Sequence, residues 1–308
     1  MKLGLFTRAF EDLNFEEMTR IISHRYSAIT QLELTANYGS KHINILNPDI
    51  SSIQKCLNSE HLAISNLSIH RDSQLLLGAR GSVTKHFFPG NEHEQKEYAK
   101  HVLYKCADVA KELAIPVVVG NIGCENFSDL FDWPIKTGWQ NQLEVAKAQW
   151  MPILEYYNKK NIKYAHELGP QQLAYDLETA LLLLETFENI DSFGFCIDPS
   201  QLLYTGVNIP LVIEKLNTKV FHFHAKDAEF NYTKEYSGIL PQGSRLRTNR
   251  GYRNRIPGWG DIEWKKVLTS LKSINYNGPI SIEIDDVFCN RDEAINKSIH
   301  FLNPLLFI

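Results

Sequence analysis

The sequence has no paired-cysteine motif: Cys56, Cys106, Cys124, Cys196 and Cys289 are odd in number, far apart and never spaced C-x-x-C. Such usage fits reduced thiols in the cytoplasm rather than a disulfide framework. No G-x-G-x-x-G occurs, so a doubly wound dinucleotide fold would lack its phosphate turn. No apolar run reaches the ~18 residues of a membrane span. Residues 1–8 also lack the apolar stretch and small-residue cleavage site of a signal peptide. Net charge is small too: the formal value is −4, which gives no global attraction for nucleic acid or an anionic membrane. Low-complexity linkers are missing, and residues 1–308 are expected to form one domain of ordinary globular composition.

What the chain does contain is alternation. Short apolar runs suited to buried strands lie at 2–7, 29–34, 61–69, 117–120, 162–167, 193–198, 219–224 and 279–284. Between and after them, helical spacing predicts helices over 13–23, 48–57, 92–113, 142–160, 176–187, 209–216, 262–274 and 292–301. Eight strands alternating with eight helices predict a (β/α)₈ TIM barrel. Long loops follow strand 3 (71–91), strand 4 (121–140) and strand 7 (225–260), and loops of this length are often functional.

In such a barrel the chemistry sits at the carboxyl ends of the strands. Four strands here end in polar groups: His166-Glu167, Ile197-Asp198, Phe223-His224 and Ile282-Glu283. Alternation puts Ser281, Glu283 and Asp285 on one face and Ile280, Ile282 and Ile284 on the other, so Glu283 points inward. By the same rule His222, His224 and Lys226 share a face opposite Phe221 and Phe223, and Gly194, Cys196 and Asp198 point inward. Glu33 is a candidate interior polar group on the second strand. For His222 and His224 two readings stand: core histidines held by hydrogen bonds, or ligands to a metal or substrate. Two Glu, one Asp and one His converging suit a hard divalent ion, and a cation would relieve the repulsion among the carboxylates.

The segments YAHELGP (164–170), FGFCIDPSQL (193–202), HFHAKDA (222–228), PGWGDIEW (257–264) and GPISIE (278–283) resemble the xylose-isomerase-like TIM-barrel family. That family contains sugar isomerases, ketose 3-epimerases, keto-inositol dehydratases, keto-glycoside-cleaving enzymes and endonuclease-IV-type nucleases. The resemblance implies a metal site of Glu167, Asp198, His224 and Glu283, most simply for Mn²⁺, with Mg²⁺, Co²⁺ or Zn²⁺ as alternatives. It also implies proton abstraction beside the carbonyl of a ketose or keto-sugar through an enediolate, with Glu167 and Glu283 as the acid/base pair. Two positions depart from the family pattern: Gly169 stands where Glu-x-His-Pro has histidine, and Gln201 where Asp-Pro-Ser-His has histidine.

Around these groups His222, Lys226, Asp227 and Gln201 are candidates for binding substrate, with Glu33 and His70 further round the rim. Trp133, Trp139 and Trp259 could stack on sugar faces or pack loops. Arg245, Arg247, Arg250, Arg253 and Arg255 form either a solvated loop face or a grip on a substrate phosphate or carboxylate, with Arg253 and Arg255 best placed. The expected partner is a small carbohydrate; a homo-oligomer is compatible, and nucleic acid and membrane are not expected. The runner-up activity is a lyase that cleaves a keto-glycoside or dehydrates a keto-sugar or inositol at the same site. A non-catalytic sugar-binding descendant and a nuclease rank below it, because a nuclease needs further imidazole ligands where Gln201 stands.

Overall fold

The computed structural model describes residues 1–231, 238, 243–244 and 247–307. Its strands are β1 (Lys2–Phe6), β2 (Gln31–Thr35), β3 (Ala63–Ser68), β4 (Val117–Gly120), β5 (Lys163–Glu167), β6 (Phe193–Ile197), β7 (Val220–Ala225), β8 (Asp227–Phe230), β9 (Tyr252–Arg255) and β10 (Pro279–Ile282). Eight of them, all but β8 and β9, close into a barrel, and every neighbouring pair is parallel. The (β/α)₈ barrel read from the sequence is the fold.

The helices are α1 (Phe15–Arg25), α2 (Ile50–Glu60), α3 (His70–Gly78), α4 (Glu92–Glu112), α5 (Gly138–Lys160), α6 (Leu177–Thr186), α7 (Pro199–Thr205), α8 (Ile209–Leu216), α9 (Trp264–Ser273) and α10 (Arg291–Leu302). Their starts follow capping chemistry: Asn14 with Glu17 and Asn91 with Glu94 form capping boxes, and Asp176 caps α6. None of the described helices is long and apolar enough to cross a membrane.

Three departures from the expected pattern shape the site. The loop expected over 71–91 opens instead as α3, whose Leu75, Leu76 and Leu77 are buried; three adjacent leucines carry no helical period, which hides it in the sequence. The Asp198-Pro199 step starts α7, with Asp198 as the cap and proline in the first turn. The 225–260 stretch holds an antiparallel ribbon of β8 and β9 rather than only loop. A further shift lies in β7. The ladder slips by one residue between Phe195 and Cys196. Phe221 therefore leaves the face expected for it beside Phe223 and packs on the inner layer of Val119, Ala165 and Cys196. It takes the space left open by Gly194, where a Cβ would run into its ring.

The start of α3 also buries a carboxylate. Asp72 is inaccessible to solvent and accepts the Tyr38 N–H at 2.9 Å and the Tyr98 hydroxyl at 2.9 Å on Oδ2. Burial pushes its carboxyl up from 3.8 to about 7, although those hydrogen bonds and the charge of Arg71 pull the other way. The folded state thus holds the proton more tightly than the unfolded chain. That stabilising effect is complete below about pH 4 and is lost as pH rises to about 7, because the slope follows the difference in bound protons. Asp72→Asn keeps an oxygen for both donors and removes the charge. Its unfolding midpoint, followed by circular dichroism, is expected to gain on that of the unsubstituted protein by roughly 3 °C or more as pH rises from about 4 to 8. Parallel pH profiles for the two proteins would refute this account.

Candidate active site

Strand alternation brings the polar ends of β5, β6, β7 and β10 to the mouth of the barrel. Donor atoms of Glu167, Asp198, His224 and Glu283 all lie within 4.8 Å of one another. His224 Nδ1 stands 3.0 Å from Glu167 Oε1 and 3.2 Å from Glu283 Oε2. Asp198 divides its work, since Oδ1 caps α7 by accepting the Ser200 N–H at 2.9 Å and Oδ2 faces Lys226 Nζ at 2.7 Å. Lys226, 2% exposed, also reaches Glu283 Oε2 at 3.0 Å. Asp198 Oδ2 and Glu283 Oε2 are buried without a hydrogen bond; the Lys226 ammonium faces both, and the His224 ring also faces Glu283 Oε2.

The charges are strongly interdependent. Burial would raise Glu167, but His70, His224 and Lys226 hold it well below the usual carboxylate range. Burial pushes Asp198 up to about 6, with Glu283 and Glu167 adding to the effect and Lys226 opposing it. Burial alone would lower His224 and Lys226, yet their neighbours raise both well above their ordinary values: the buried Cys196 thiol and the Glu33 and Glu283 carboxylates for His224, Asp198, Glu283 and Asp285 for Lys226. Three carboxylates and one imidazole, with no thiolate in the set and two acid oxygens lacking hydrogen bonds, fit a divalent ion.

Beneath this cluster lies a second group. Glu33 is fully buried and receives His222 Nε2 at 2.8 Å, His224 Nε2 at 3.0 Å and the Ser281 hydroxyl at 2.7 Å. The two histidines opposed by burial hold the Glu33 carboxyl well below its usual range. Its donor atoms and those of His222 and His224 also fall within 4.8 Å. Both rings are held by hydrogen bonds, as the first reading of the pair has it: His222 is a core residue bonded to Glu33, and His224 turns Nε2 to Glu33 and Nδ1 to Glu167.

A cavity of about 530 Å³ opens above the acids, with Glu167, His224, Glu283, Lys226 and His70 on its floor. His70 Nε2 approaches Glu167 Oε2 at 3.3 Å, and its Nδ1 meets Ser68 Oγ at 2.8 Å. Gln201 and Arg253 also line it. Several candidates do not reach this space. Glu33 and His222 lie under the floor and not on the rim. Asp227 spends its carboxylate on the N–H groups of Gly258, Ile262 and Ala228 and on the Trp264 indole at 2.7 Å, which ties the returning ribbon to the barrel. Arg255 is held by Asp286 at 2.9 Å and Glu229 at 2.9 Å. Trp259 stands over Lys297, with the ammonium 4.2 Å from its ring centroid. Trp133 is exposed, and Trp139 packs on Phe127 and Tyr175. Arg245 lies outside the described residues.

Two further groups stand at the site without being expected from the sequence. Arg8, just beyond β1, pairs with Glu283 Oε1 at 3.1 Å and Asp285 Oδ1 at 2.7 Å, and Phe6 stacks on the His224 ring at 5.7 Å. The signal for Arg8 is a charge at the carboxyl end of the first strand, the same kind of position that marks Glu167, Asp198, His224 and Glu283.

The family model described as Xylose isomerase-like TIM barrel matches residues 28–305. The chain is 26% identical to the uncharacterised protein YfiH of Bacillus subtilis over 176 residues, which is 53% of this chain; the match spans just over half, 56%, of that relative's length. It is 23% identical to the inosose dehydratase of Clostridium beijerinckii over 267 residues, covering 84% of this chain and 81% of that one. A crystal structure of D-psicose 3-epimerase in the presence of D-fructose superposes with a TM-score of 0.68 at 14% identity, covering 99% of each chain.

Proposed function

The chain belongs to the xylose isomerase-like TIM barrel family, and from that premise we propose that it is a metal-dependent sugar isomerase or epimerase acting on a ketose or keto-sugar. The observation that carries this reading is the set of four donors, Glu167, Asp198, His224 and Glu283, within 4.8 Å of one another, three of them (Glu167, His224 and Glu283) lining one cavity and Asp198 buried beside them. They would hold a divalent ion, most simply Mn²⁺. When bound, that ion supplies Lewis-acid polarisation of a substrate carbonyl.

The remaining steps fall to side chains. Glu167 and Glu283 reach the cavity from the end of β5 and from just beyond β10, at 3.0 Å and 3.2 Å from His224 Nδ1. A sugar lying over His224 has one carboxylate toward each face; one takes the proton beside the carbonyl and the other returns it. Glu167 is held in the anionic form by His70, His224 and Lys226. Lys226 and Arg8 supply positive charge next to Glu283, which steadies the negative charge that develops on the substrate as an enediolate forms. His70, anchored by Ser68, orients Glu167. Elimination from the same enediolate is the second reading, supported by the extent of similarity to inosose dehydratase. The five free thiols fit a reducing cytoplasm as its location.

Elemental analysis after Mn²⁺ reconstitution, paired with NMR detection of carbon-bound hydrogen exchange in D₂O, tests this. About one ion per chain is expected, lost in His224→Ala, together with exchange into D-fructose or a related ketose. Affinity should fall as pH drops through about 6, where Asp198 takes up a proton that competes with the ion. A protein that binds no divalent ion after reconstitution would defeat the reading.

A further inference from the structure

The cavity is larger than the acid cluster requires, and one wall is built of amides. At about 530 Å³ it falls in the range of about 300–1,000 Å³ that encloses ligands well beyond a single small ring. Gln201 sits three residues after Asp198, and Tyr204 follows it one turn later on the same face of α7. Across from Gln201, the turn after β5 carries Gly169 and Gln171, which line the same space. Gln171 is held at a φ of 68°, a left-handed conformation that glutamine rarely adopts and that clusters at ligand sites. Its neighbour Gln172 fixes the turn by accepting the Gly123 N–H at 2.9 Å and donating to Gln74 at 3.3 Å. Among the described residues, the Gln171 and Gln201 amides have no protein partner.

Gly169 and Gln201, the two places where the chain departs from its family's histidines, face each other. The three atoms nearest a Cβ on Gly169 would all belong to Gln201, at 3.5 Å, an ordinary contact, and its backbone is unstrained, so the missing side chain leaves usable room. Tyr204 stands edge-on to Tyr252 at 5.0 Å, and the Tyr252 hydroxyl donates to the Ser200 carbonyl at 2.6 Å, which locks the ribbon against α7. Free amides beside tyrosine rings offer both donors and acceptors for hydroxyls and a flat face for a sugar ring. The nearby guanidiniums are already engaged: Arg8 by Glu283 and Asp285, Arg71 by Glu11, Arg253 by Glu229, and Arg250 by backbone carbonyls of Gly243 and Ser244.

We propose that Gly169, Gln171, Gln201 and Tyr204 form a second, uncharged sugar subsite, so that the substrate is a glycosylated ketose rather than a free or phosphorylated monosaccharide. This rests on the ketose reading of the acid cluster. The second ring lies in the space opened by the two replaced histidines, and its hydroxyls bond to the Gln171 and Gln201 amides.

Isothermal titration of the Mn²⁺-loaded protein with D-fructose and with three glycosyl-fructoses (turanose, lactulose and isomaltulose) tests the subsite. At least one disaccharide should bind tenfold or more tightly than fructose. Gln201→Ala should bring that ratio to about 1, and Gly169→His, which fills the space, should do the same. Circular dichroism of both variants verifies the fold. Fructose binding as tightly as all three disaccharides, no binding by any of the four sugars, or a preference indifferent to both variants would overturn the subsite. Hydrogen exchange in D₂O is read separately. Tight, Gln201-dependent disaccharide binding with no exchange of any sugar keeps the subsite and removes the isomerase chemistry, whereas exchange of fructose without disaccharide preference does the reverse.

Discussion

Glu283→Gln should lower ketose hydrogen exchange by about 10³-fold at saturating Mn²⁺ while the barrel stays folded, as befits removal of a general acid–base group whose contribution is about 10²–10⁴. The fold is protected because the charges around Glu283 keep other partners. Arg8 retains Asp285 at 2.7 Å, and Lys226 retains Asp198 at 2.7 Å. The chemistry is not protected. Glu283 Oε2 is a buried oxygen whose neighbours are Lys226 and His224 Nδ1, and a glutamine amide there can neither take nor return a proton at neutral pH. The substitution also removes one of four donors, so metal content must be measured in the same samples. Loss of exchange with metal retained assigns proton transfer to Glu283. Exchange within tenfold of the unsubstituted protein, with metal bound, would take Glu283 out of the reaction and leave it a charge partner of Arg8.

Much of this site is legible in the chain because strand alternation is rigid. The facing of Ser281, Glu283 and Asp285 on the last strand follows from three isoleucines on the other face, and His222, His224 and Lys226 follow from the same rule. Alternation gives the side of a residue and not its height. Glu33 reads as a group on the rim and His222 as a candidate for binding substrate, yet both are buried and neither lines the cavity. Depth comes from the stagger between strands, which pairs Phe6 with Glu33 and Gly4 with Ser281 across β1, and no single strand's sequence encodes that. The slip beside Cys196 is of the same kind, since a ladder irregularity is a property of two strands together. The arginines after β7 look available because sequence shows a charge without its partner. Glu229 and Asp286, which hold Arg253 and Arg255, become neighbours only when β8 pairs with β9 and β10 reaches the rim.

The second large effect is expected at Glu33, which touches no substrate. Three donors converge on its carboxylate: the His222 and His224 rings and the Ser281 hydroxyl, at 2.8, 3.0 and 2.7 Å. Glu33→Gln leaves one acceptor oxygen for the three and aims an NH₂ at another donor. Breaking a buried pair in this way costs about 3–5 kcal/mol, because the partners stay desolvated and unanswered. The same change releases His224. With Nε2 held by Glu33, the ring presents Nδ1 to Glu167 and Glu283; without that hold both tautomer and ring angle are free. Outer partners of this kind are worth about 10–100-fold in metal affinity. His222→Gln separates the two effects, since it disturbs the core hydrogen bonds and leaves the Glu33–His224 contact. Its unfolding midpoint should fall, while its Mn²⁺ affinity stays within a few-fold of the unsubstituted protein. Thermal unfolding with and without Mn²⁺, and Mn²⁺ titration of both variants, give the comparison. If Glu33→Gln binds Mn²⁺ as tightly as the unsubstituted protein, Glu33 supports only the core; if both variants lose affinity equally, the effect is general softening of the barrel and not orientation of His224.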